Sequence, residues 1–324
     1  MNQSQEAEIA ARRIVVLAGG PSAERMISLQ SGRAVVCALQ SRDRRVVEVD
    51  PAVTDLETFD WSPVDLVFNA LHGSFGEDGG VQQILEARGV PFTGSGSLAS
   101  RLTFSKSASK VRMLQCGVPT PKFAVVHRGR GSDPLPQIAA RIGYPLVIKP
   151  DQQGSSLGVS LVTEDSELDA AFQRAVEFGD CIVLESAVIG TEWTLAAIDN
   201  DPLPLIQIRT SHTLFDFDAK YVDDATEHCF EFDAPSSVTN GIVAAGLEAV
   251  RILGTTGLVR VDLMLDHSGR PWVLEVNTVP GLTDHSLAPK AAARAGMTMS
   301  DLCDRLLAGA LAAHRGEASR RRAG

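Results

Sequence analysis

Short apolar runs alternate with amphipathic stretches over the first third of the chain. Residues 13–20 (RIVVLAGG) form an apolar run that ends in two glycines, and further apolar runs follow at 46–49 and 65–71. Between these runs, apolar residues recur at the spacing expected for the buried face of a helix. Alternating strands and helices predict a parallel sheet with both faces covered, which extends to about residue 97.

A helix is predicted from about Ser100, ahead of a second group of strands. Its inner face is expected to contain Phe104 and Val111, which leaves Lys106 and Lys110 on the opposite, solvent-facing side. Together with one further helix, the apolar runs that follow predict a small α+β module. These runs lie at residues 145–150, 159–162 and 181–185.

The pattern therefore predicts an α/β protein with three domains, at residues 1–97 (Rossmann-like), 98–186 and 187–324. The third domain contains an apolar hairpin at 257–277 and ends in a helix. Residues 209–235 carry few periodic signals. An irregular segment of that length in a compact protein is usually a functional lid or is disordered, and the pattern alone favours neither.

Composition and charge exclude several classes of protein. The net charge of −10 disfavours a general affinity for nucleic acid. No apolar run approaches the roughly 20 residues of a membrane-spanning helix, and residues 1–13 lack the apolar core of a signal peptide. We therefore expect a cytoplasmic protein without a membrane partner. The five cysteines are far apart and show no CxxC spacing, which argues against a disulfide framework or a zinc site.

The hairpin at 257–277 carries the most specific chemical signal. If the Ser-Gly dipeptide of HSGR is its two-residue turn, Asp262 faces Glu275 across the strands. Arg260 then faces Asn277, and all four side chains share one face. Opposed carboxylates repel each other, so this pair needs a cation between its members. Two carboxylates and an amide oxygen suit Mg²⁺ together with phosphate oxygens. A solvated hairpin face with alternating polar residues is the other interpretation.

A loop rich in glycine and serine, residues 153–158 (QGSSLG), is a second candidate site. Its glycines let backbone amides approach an anion, Ser155 and Ser156 add hydroxyl donors, and Lys149 could supply positive charge. The loop joins two strands, unlike the strand-to-helix setting of a P-loop. Because most loops of this composition are ordinary turns, phosphate binding stays one of two interpretations.

Eight segments taken in order resemble the D-alanine–D-alanine ligases, a family of ATP-grasp enzymes. They span about residues 13–310 and read GGPSAERMISLQSG, ALHGSFGEDGGVQ, PFTGSG, VIKPDQQGSSLGVS, FDFDAKY, RVDLML, LEVNTVPGLTDHS and AARAGM. The resemblance implies a three-domain ATP-grasp architecture that closes over ATP between the second and third domains. It also implies that ATP phosphorylates one D-alanine and that the amine of a second attacks the acyl phosphate, for peptidoglycan precursor synthesis.

The resemblance also implies a set of site residues. Those that match the ligands of two Mg²⁺ ions, for which Mn²⁺ could substitute, are Asp262, Glu275 and Asn277. Those that match ATP-binding groups are Lys106, Lys149, Ser155, Ser156, Glu185, Glu192 and Lys220. Those that match groups binding the two D-alanines are Glu24, His72, Lys220 and Ser286. Those that match catalytic groups are Glu24, Ser155, Tyr221, Arg260 and Gly281.

Several of these residues have specific implied roles. Glu24 matches the carboxylate that receives the ammonium group of the first D-alanine, and Ser286 matches the residue that binds the carboxylate of the second. Arg260 and the backbone N–H of Gly281 match the groups that stabilise the tetrahedral oxyanion.

Tyr221 matches a tyrosine that, together with Ser155 and Glu24, ties the lid to the first domain. Each residue also has a purely structural interpretation. Glu24 could be an acid favoured by the dipole in the first turn of a helix. His72 could be a structural histidine with satisfied hydrogen bonds, and Tyr221 a loop aromatic.

Three positions depart from the family pattern. Met26 stands where a second acid is usual, Ser105 where an aspartate is usual, and Ser186 where a lysine is common. None of these changes removes a catalytic group. They leave open a related ATP-grasp ligase with a different acceptor or donor, in resistance or specialised metabolism. A catalytically silent nucleotide-binding protein is a further alternative, which the intact metal set disfavours. The family suggests a homodimer.

Overall fold

Over residues 3–209 and 226–323, the parts of the chain that the computed structural model describes, the backbone forms three β-sheets with helices packed against them. The strands are β1 (Arg13–Leu17), β2 (Arg45–Val49), β3 (Leu66–Asn69), β4 (Phe123–His127), β5 (Leu146–Pro150), β6 (Ser160–Val162), β7 (Cys181–Ser186), β8 (Gly190–Ile198), β9 (Asp201–Pro202), β10 (Ile206–Arg209), β11 (Glu227–Cys229), β12 (Leu258–Asp266) and β13 (Pro271–Asn277).

The helices are α1 (Gln3–Ala10), α2 (Arg25–Gln40), α3 (Gly80–Arg88), α4 (Ser97–Phe104), α5 (Lys106–Gln115), α6 (Leu135–Ile142), α7 (Leu168–Val176), α8 (Ser236–Leu253), α9 (Leu287–Arg294) and α10 (Met299–Ala323). Within the described ranges, none of the helices combines the length and the apolar character that crossing a membrane requires.

The first sheet is parallel, in the order β2-β1-β3, which confirms the predicted fold class of the N-terminal unit. All four residues of β3 are buried, as expected for a parallel strand covered on both faces. The carboxyl ends of β1 and β3 lead into the loops at 18–24 and 70–79. Ligand sites of parallel sheets lie at this edge, so both loops come to one place beside the start of α2.

The single helix predicted from Ser100 is in fact two helices, α4 and α5, with a break at Ser105. Ser105 has extended backbone angles, and its hydroxyl accepts a 3.2 Å hydrogen bond from the N–H of Ala108 as the N-cap of α5. The predicted faces were wrong for α5, because Val111 is 45% exposed whereas Lys110 is fully buried. Hydrophobicity alone could not indicate that a lysine has a buried partner.

The second sheet is antiparallel, in the order β4-β7-β5-β6, and packs against α6 and α7 around Phe172. Helix α5 is not part of that core. Its Met113 packs in a different cluster with Val118, Trp193 and residues of α8. The domain boundary at residue 98 stays a prediction, and α5 packs with the third sheet.

The third sheet is antiparallel, in the order β11-β10-β8-β12-β13, with β9 paired to β8. Strand β11 belongs to the predicted lid segment 209–235, yet Glu227–Cys229 pairs with β10 as an edge strand. The central part of that segment, residues 210–225, lies outside the described residues. The prediction of a lid is therefore untested there.

The hairpin of β12 and β13 has the predicted pairing at the site, although its turn differs. Leu265 pairs with Pro271, and the N–H of Asp266 donates to the carbonyl of Arg270. The turn between Asp266 and Arg270 therefore has three residues rather than the predicted two. Gly269 takes the left-handed conformation (φ 79°) that such a turn needs. A bulge after Asp262 shifts the register by one residue and restores its pairing with Glu275.

The C-terminal helix α10 packs against α2 and α1 of the N-terminal unit. A buried ion-pair cluster joins them: Arg44 Nη2 lies 2.8 Å and Arg42 Nη1 3.1 Å from Asp304 Oδ2. The side chain of Asp304 is fully buried. The two ends of the chain are therefore tied together by a carboxylate that cannot be solvated if its partners are lost.

We predict that Asp304→Ala lowers the free energy of unfolding by about 3–5 kcal/mol, because it leaves the buried side chain of Arg44 without its carboxylate partner. The matched control is Asp201→Ala, since Asp201 pairs with Arg305 at 2.7 Å but is 66% exposed. That control should cost less than about 1 kcal/mol. Urea unfolding measures both, and equal losses would contradict the role of burial.

Candidate active site

A cleft of about 490 Å³ lies between the second and third sheets. Strands β5 and β7 and the loop at 153–158 form one wall, and strands β8, β10, β12 and β13 form the other. The structure brings together here most of the residues predicted to bind nucleotide and metal. Those that line the cleft are Lys106, Lys149, Ser156, Glu185, Glu192, Asp262 and Glu275.

The same cleft has an apolar surface that the sequence analysis missed. Its main contributors are Val147, Leu161, Ile189, Met264 and Leu274. The signal was present, because Val147 and Met264 each lie two positions from a predicted site residue on the same strand and so share its face. A cleft that combines an apolar surface with cations and carboxylates suits a flat aromatic ring that carries a charged chain.

The opposed carboxylates of the hairpin are both compensated by side-chain cations. Asp262 is buried and accepts from Arg260 Nε at 2.9 Å and Nη2 at 2.8 Å. Glu275 Oε2 lies 3.1 Å from Lys106 Nζ. The repulsion that the sequence predicted is therefore offset within the protein, and it does not by itself demand a metal ion.

The donor chemistry of this face still fits a hard cation. Asn277 Nδ2 lies 3.2 Å from Asp262 Oδ2, so the amide and both carboxylates are within one small region. Among the described residues, no group of three His, Cys, Asp or Glu side chains is placed to hold a metal. Two carboxylates and one amide oxygen are a partial oxygen set, of the kind that Mg²⁺ completes with water and phosphate oxygens.

Lys106 links the metal face to the serine-containing loop. Its ammonium group donates a 2.7 Å hydrogen bond to the carbonyl of Gln153, in addition to its contact with Glu275. Burial acts to lower the pKa of Lys106, but the charge of Glu275 and its hydrogen bond outweigh burial and raise the pKa. Lys106 is therefore a permanent cation at the entrance of this loop.

A second group of predicted site residues lies in the N-terminal unit, at the edge where β1 and β3 end. Glu24 is buried just before α2, and Ser155 Oγ donates a hydrogen bond to Glu24 Oε1. Burial raises the pKa of Glu24, and the charge of Glu77 raises it further. Glu77 was missed by the sequence analysis, although it lies in the predicted loop HGSFGEDGG.

His72 lies beside Glu77, and both of its ring nitrogens are engaged by the protein. Nδ1 is 3.0 Å from the carbonyl oxygen of Val279, which can only accept, so Nδ1 carries the proton. Nε2 then accepts from the hydroxyl of Ser31 at 2.9 Å. This is the hydrogen-bond pattern of a structural histidine, and it fixes the segment that leads to Gly281 against the first domain.

The loop at 153–158 reaches Glu24 by an unusual backbone path. Ser155 and Ser156 have φ angles of 51° and 55°, a left-handed conformation that is costly for residues with a side chain. A Cβ at Gly154 would lie 2.5 Å from the carboxylate of Glu24. A side chain at position 154 would therefore displace the Glu24 carboxylate or the loop, and the loop connects the cleft with Glu24.

Gly281 and Ser286 lie close together before α9. A Cβ at Gly281 would lie 2.7 Å from Ser286 Oγ, and that hydroxyl accepts a 3.1 Å hydrogen bond from the N–H of Thr283. Ser286 is the N-cap of α9, where the helix dipole favours a negatively charged ligand. Lys220 and Tyr221, the other predicted site residues, lie outside the described residues.

We predict that Glu24→Gln raises the melting temperature at pH 7. A raised carboxyl pKa means that the folded state binds the proton more tightly than the unfolded state. Stability is therefore lost as pH rises from the ordinary pKa of 4.5 through the raised value. Gln stays neutral and still accepts from Ser155, so it removes this loss.

Thermal unfolding at several pH values checks the prediction for Glu24. The difference in melting temperature from the unsubstituted protein should vanish below about pH 4, where Glu24 is protonated in both the folded and the unfolded protein. The control is Glu177→Gln on the exposed end of α7, which should show no such pH dependence. A lower melting temperature for Glu24→Gln at pH 7 would refute the assignment of burial as the main cause.

Comparison with known proteins agrees with this geometry. Residues 113–308 match the family described as D-ala D-ala ligase C-terminus, and residues 52–95 match the D-ala D-ala ligase N-terminus. A D-alanine--D-alanine ligase of Nitrosomonas europaea is 41% identical over 295 residues, which cover 91% of this chain and 96% of that protein.

Two crystal structures of the Bacillus anthracis D-alanine--D-alanine ligase have the same fold. The first is 32% identical with a TM-score of 0.85, and covers 95% of this chain and 100% of that one. The second, complexed with ATP, is 30% identical with a TM-score of 0.82 over the same shares of the two chains. On the agreement of both family matches, the full-length relative and the fold, this chain belongs to the D-alanine–D-alanine ligase family.

Proposed function

We propose that this chain uses ATP to join two molecules of D-alanine into D-alanyl-D-alanine for peptidoglycan precursor synthesis. The observation that carries the proposal is the contact of Ser155 with Glu24. It connects the buried carboxylate of Glu24 in the first domain to a cleft that contains Lys106, Lys149 and two opposed carboxylates. A carboxylate substrate and a triphosphate held on the two sides of this loop would meet at their reactive ends.

The nucleotide is assigned to the cleft of about 490 Å³. Its base would lie against the apolar surface of the cleft, with Glu185 and Glu192 at the base and ribose, as the family resemblance implies. Its phosphates would then lie near Lys106, Lys149 and the loop that contains Ser155 and Ser156. Lys106, Lys149 and Ser156 line the cleft. Cations and backbone amides held in place in this way stabilise the charge that develops in phosphoryl transfer.

Asp262, Glu275 and Asn277 would hold Mg²⁺, in the two-ion set of the family, with Mn²⁺ as a substitute. When bound, the metal neutralises charge on the phosphates and so favours transfer of the terminal phosphoryl group. Lys106 and Arg260 form ion pairs with Glu275 and Asp262. Binding of the metal and the nucleotide would therefore redistribute existing ion pairs rather than fill an uncompensated site.

The amino-acid side of the reaction is assigned as follows. Glu24 would bind the ammonium group of the first D-alanine, whose carboxylate oxygen attacks the terminal phosphorus of ATP and releases ADP. The neutral amine of the second D-alanine then attacks the acyl phosphate, and the tetrahedral intermediate expels phosphate. Arg260 and the N–H of Gly281 would stabilise its oxyanion, and Ser286 would bind the second carboxylate.

The wider organisation is proposed from the family resemblance. It comprises three domains at 1–97, 98–186 and 187–324, a lid at 209–235 that contains Lys220 and Tyr221, a homodimer and a cytoplasmic location. The relatives named above are D-alanine--D-alanine ligases, and this favours D-alanine as the second substrate over another acceptor.

We predict that the purified protein converts D-alanine and ATP, with Mg²⁺, into equal amounts of dipeptide, ADP and phosphate. Mass spectrometry detects the dipeptide and a coupled assay detects ADP. Glu275→Gln should lower kcat by about 100-fold or more, because it removes a carboxylate that balances metal and phosphate charge.

The control for Glu275 is Glu231→Gln, whose carboxylate is 90% exposed and which should leave kcat unchanged. ADP formation without dipeptide would contradict the proposed product. Unchanged turnover by Glu275→Gln would remove the metal assignment.

We predict that Gly154→Ala lowers kcat/KM for D-alanine by about tenfold, because a methyl group would push the loop off Glu24. The added Cβ would lie 2.5 Å from the Glu24 carboxylate. Gly129→Ala is the matched control, since no atom lies within 4 Å of its Cβ position. Steady-state kinetics with saturating ATP measures the effect, and equal kinetics for both variants would argue against the loop contact.

A further inference from the structure

A group of three buried charges lies beside the cleft and includes one residue outside the proposed machinery. Lys149 Nζ contacts Glu185 Oε1, and Lys110 Nζ lies 2.6 Å from Glu185 Oε2. Lys110 is fully buried, and it donates a further hydrogen bond of 2.8 Å to Thr120 Oγ1. A lysine held this closely in the interior, on a helix that elsewhere buries serine and methionine, needs an explanation.

The two lysines approach Glu185 from different sides. Val147 of β5 pairs with Glu185 of β7, so Lys149, two residues further along β5, shares the face of Glu185 and lines the cleft. Lys110 comes from α5 and is absent from the lining of the cleft. A ligand in the cleft could therefore contact Lys149 in place of Glu185, whereas Lys110 would remain in contact with Glu185.

The charges show why two lysines are needed. Burial acts to raise the pKa of Glu185, but Lys110 and Lys149 outweigh it and keep the pKa below its ordinary value. If Lys149 were the single partner, its movement to a phosphate would leave a buried carboxylate without a counter-charge. Such a carboxylate takes up a proton rather than stay ionised.

We propose that Lys110 is a positioning residue for nucleotide recognition, which keeps Glu185 ionised and oriented towards the base while Lys149 binds the phosphates. This inference rests on the proposed placement of the base at Glu185. An ionised carboxylate accepts a hydrogen bond from the amino group of adenine and repels the carbonyl oxygen that replaces it in hypoxanthine. A protonated Glu185 could donate to that oxygen, so discrimination between the two bases depends on the charge that Lys110 maintains.

The test compares ATP with inosine triphosphate in steady-state ligation of D-alanine by the full-length protein. Lys110→Met should raise KM for ATP by about tenfold to a hundredfold, the range for a hydrogen bond to a charged group, with a much smaller change in kcat. The ratio of kcat/KM for ATP to that for inosine triphosphate should fall by about tenfold. Lys122→Met, an exposed lysine just before β4, is the matched control and should keep the ratio.

A merely structural role for Lys110 gives a different result. Lys110→Met would then lower the melting temperature and the turnover with both nucleotides equally, and an unchanged ratio would overturn the proposal. Lys110→Arg keeps the cation and should recover most of the ratio. If Lys110→Met does not fold, Lys110→Gln replaces it, because Gln retains a donor for Thr120 and Glu185 but carries no charge.

Glu185→Gln separates this inference from the assignment on which it rests. A Gln side chain offers both a donor and an acceptor, so it should reduce the ratio as strongly as Lys110→Met does. An unchanged ratio in Glu185→Gln would contradict the placement of the base at Glu185, and it would also contradict the proposed role of Lys110. A reduced ratio in Glu185→Gln together with an unchanged ratio in Lys110→Met would overturn the role of Lys110 alone.

Discussion

Three carboxylates beside the cleft, those of Glu185, Asp262 and Glu275, are each held by the cation of a lysine or an arginine, and Glu185 and Asp262 are buried. Glu185 lies between Lys110 and Lys149, and Glu275 contacts Lys106. Because an uncompensated buried charge is strongly destabilising, these pairs determine how α5, β5, β7 and the hairpin must meet. The cleft is the space that remains between the elements that carry them.

The same pairs prepare the cleft for a polyanion. In the proposed function, the cations that compensate these carboxylates would be available to phosphates once metal ions bind the carboxylates. Glu275 raises the pKa of Lys106, so Lys106 carries its positive charge at any physiological pH. If these residues act as proposed, their ion pairs organise the site before substrate binds, and electrostatic stabilisation is most effective when it is organised in advance.

Two local backbone features determine where these polar groups lie relative to one another. The bulge after Asp262 corrects the register that the three-residue turn would otherwise impose, and it keeps Asp262 opposite Glu275. The left-handed residues Ser155 and Ser156 bring their loop to Glu24. Both features cost conformational energy, and both occur where the second sheet or the hairpin must present polar groups at a specific place.

The sequence alone determined the alternation of strands and helices, the hairpin, the shared face of Glu275 and Asn277, and the family through its ordered motifs. These are local or periodic properties, which a chain displays whatever its tertiary contacts. Only the tertiary structure decided that Lys110 is buried, that the helix from Ser100 breaks at Ser105, and that a bulge offsets the longer turn. The first two involve partners distant in sequence, Glu185 for Lys110 and Asp151 for Ser105. Hydrophobic pattern reports whether a residue is apolar, whereas the burial of a charge depends on a counter-charge that only the folded chain brings within reach.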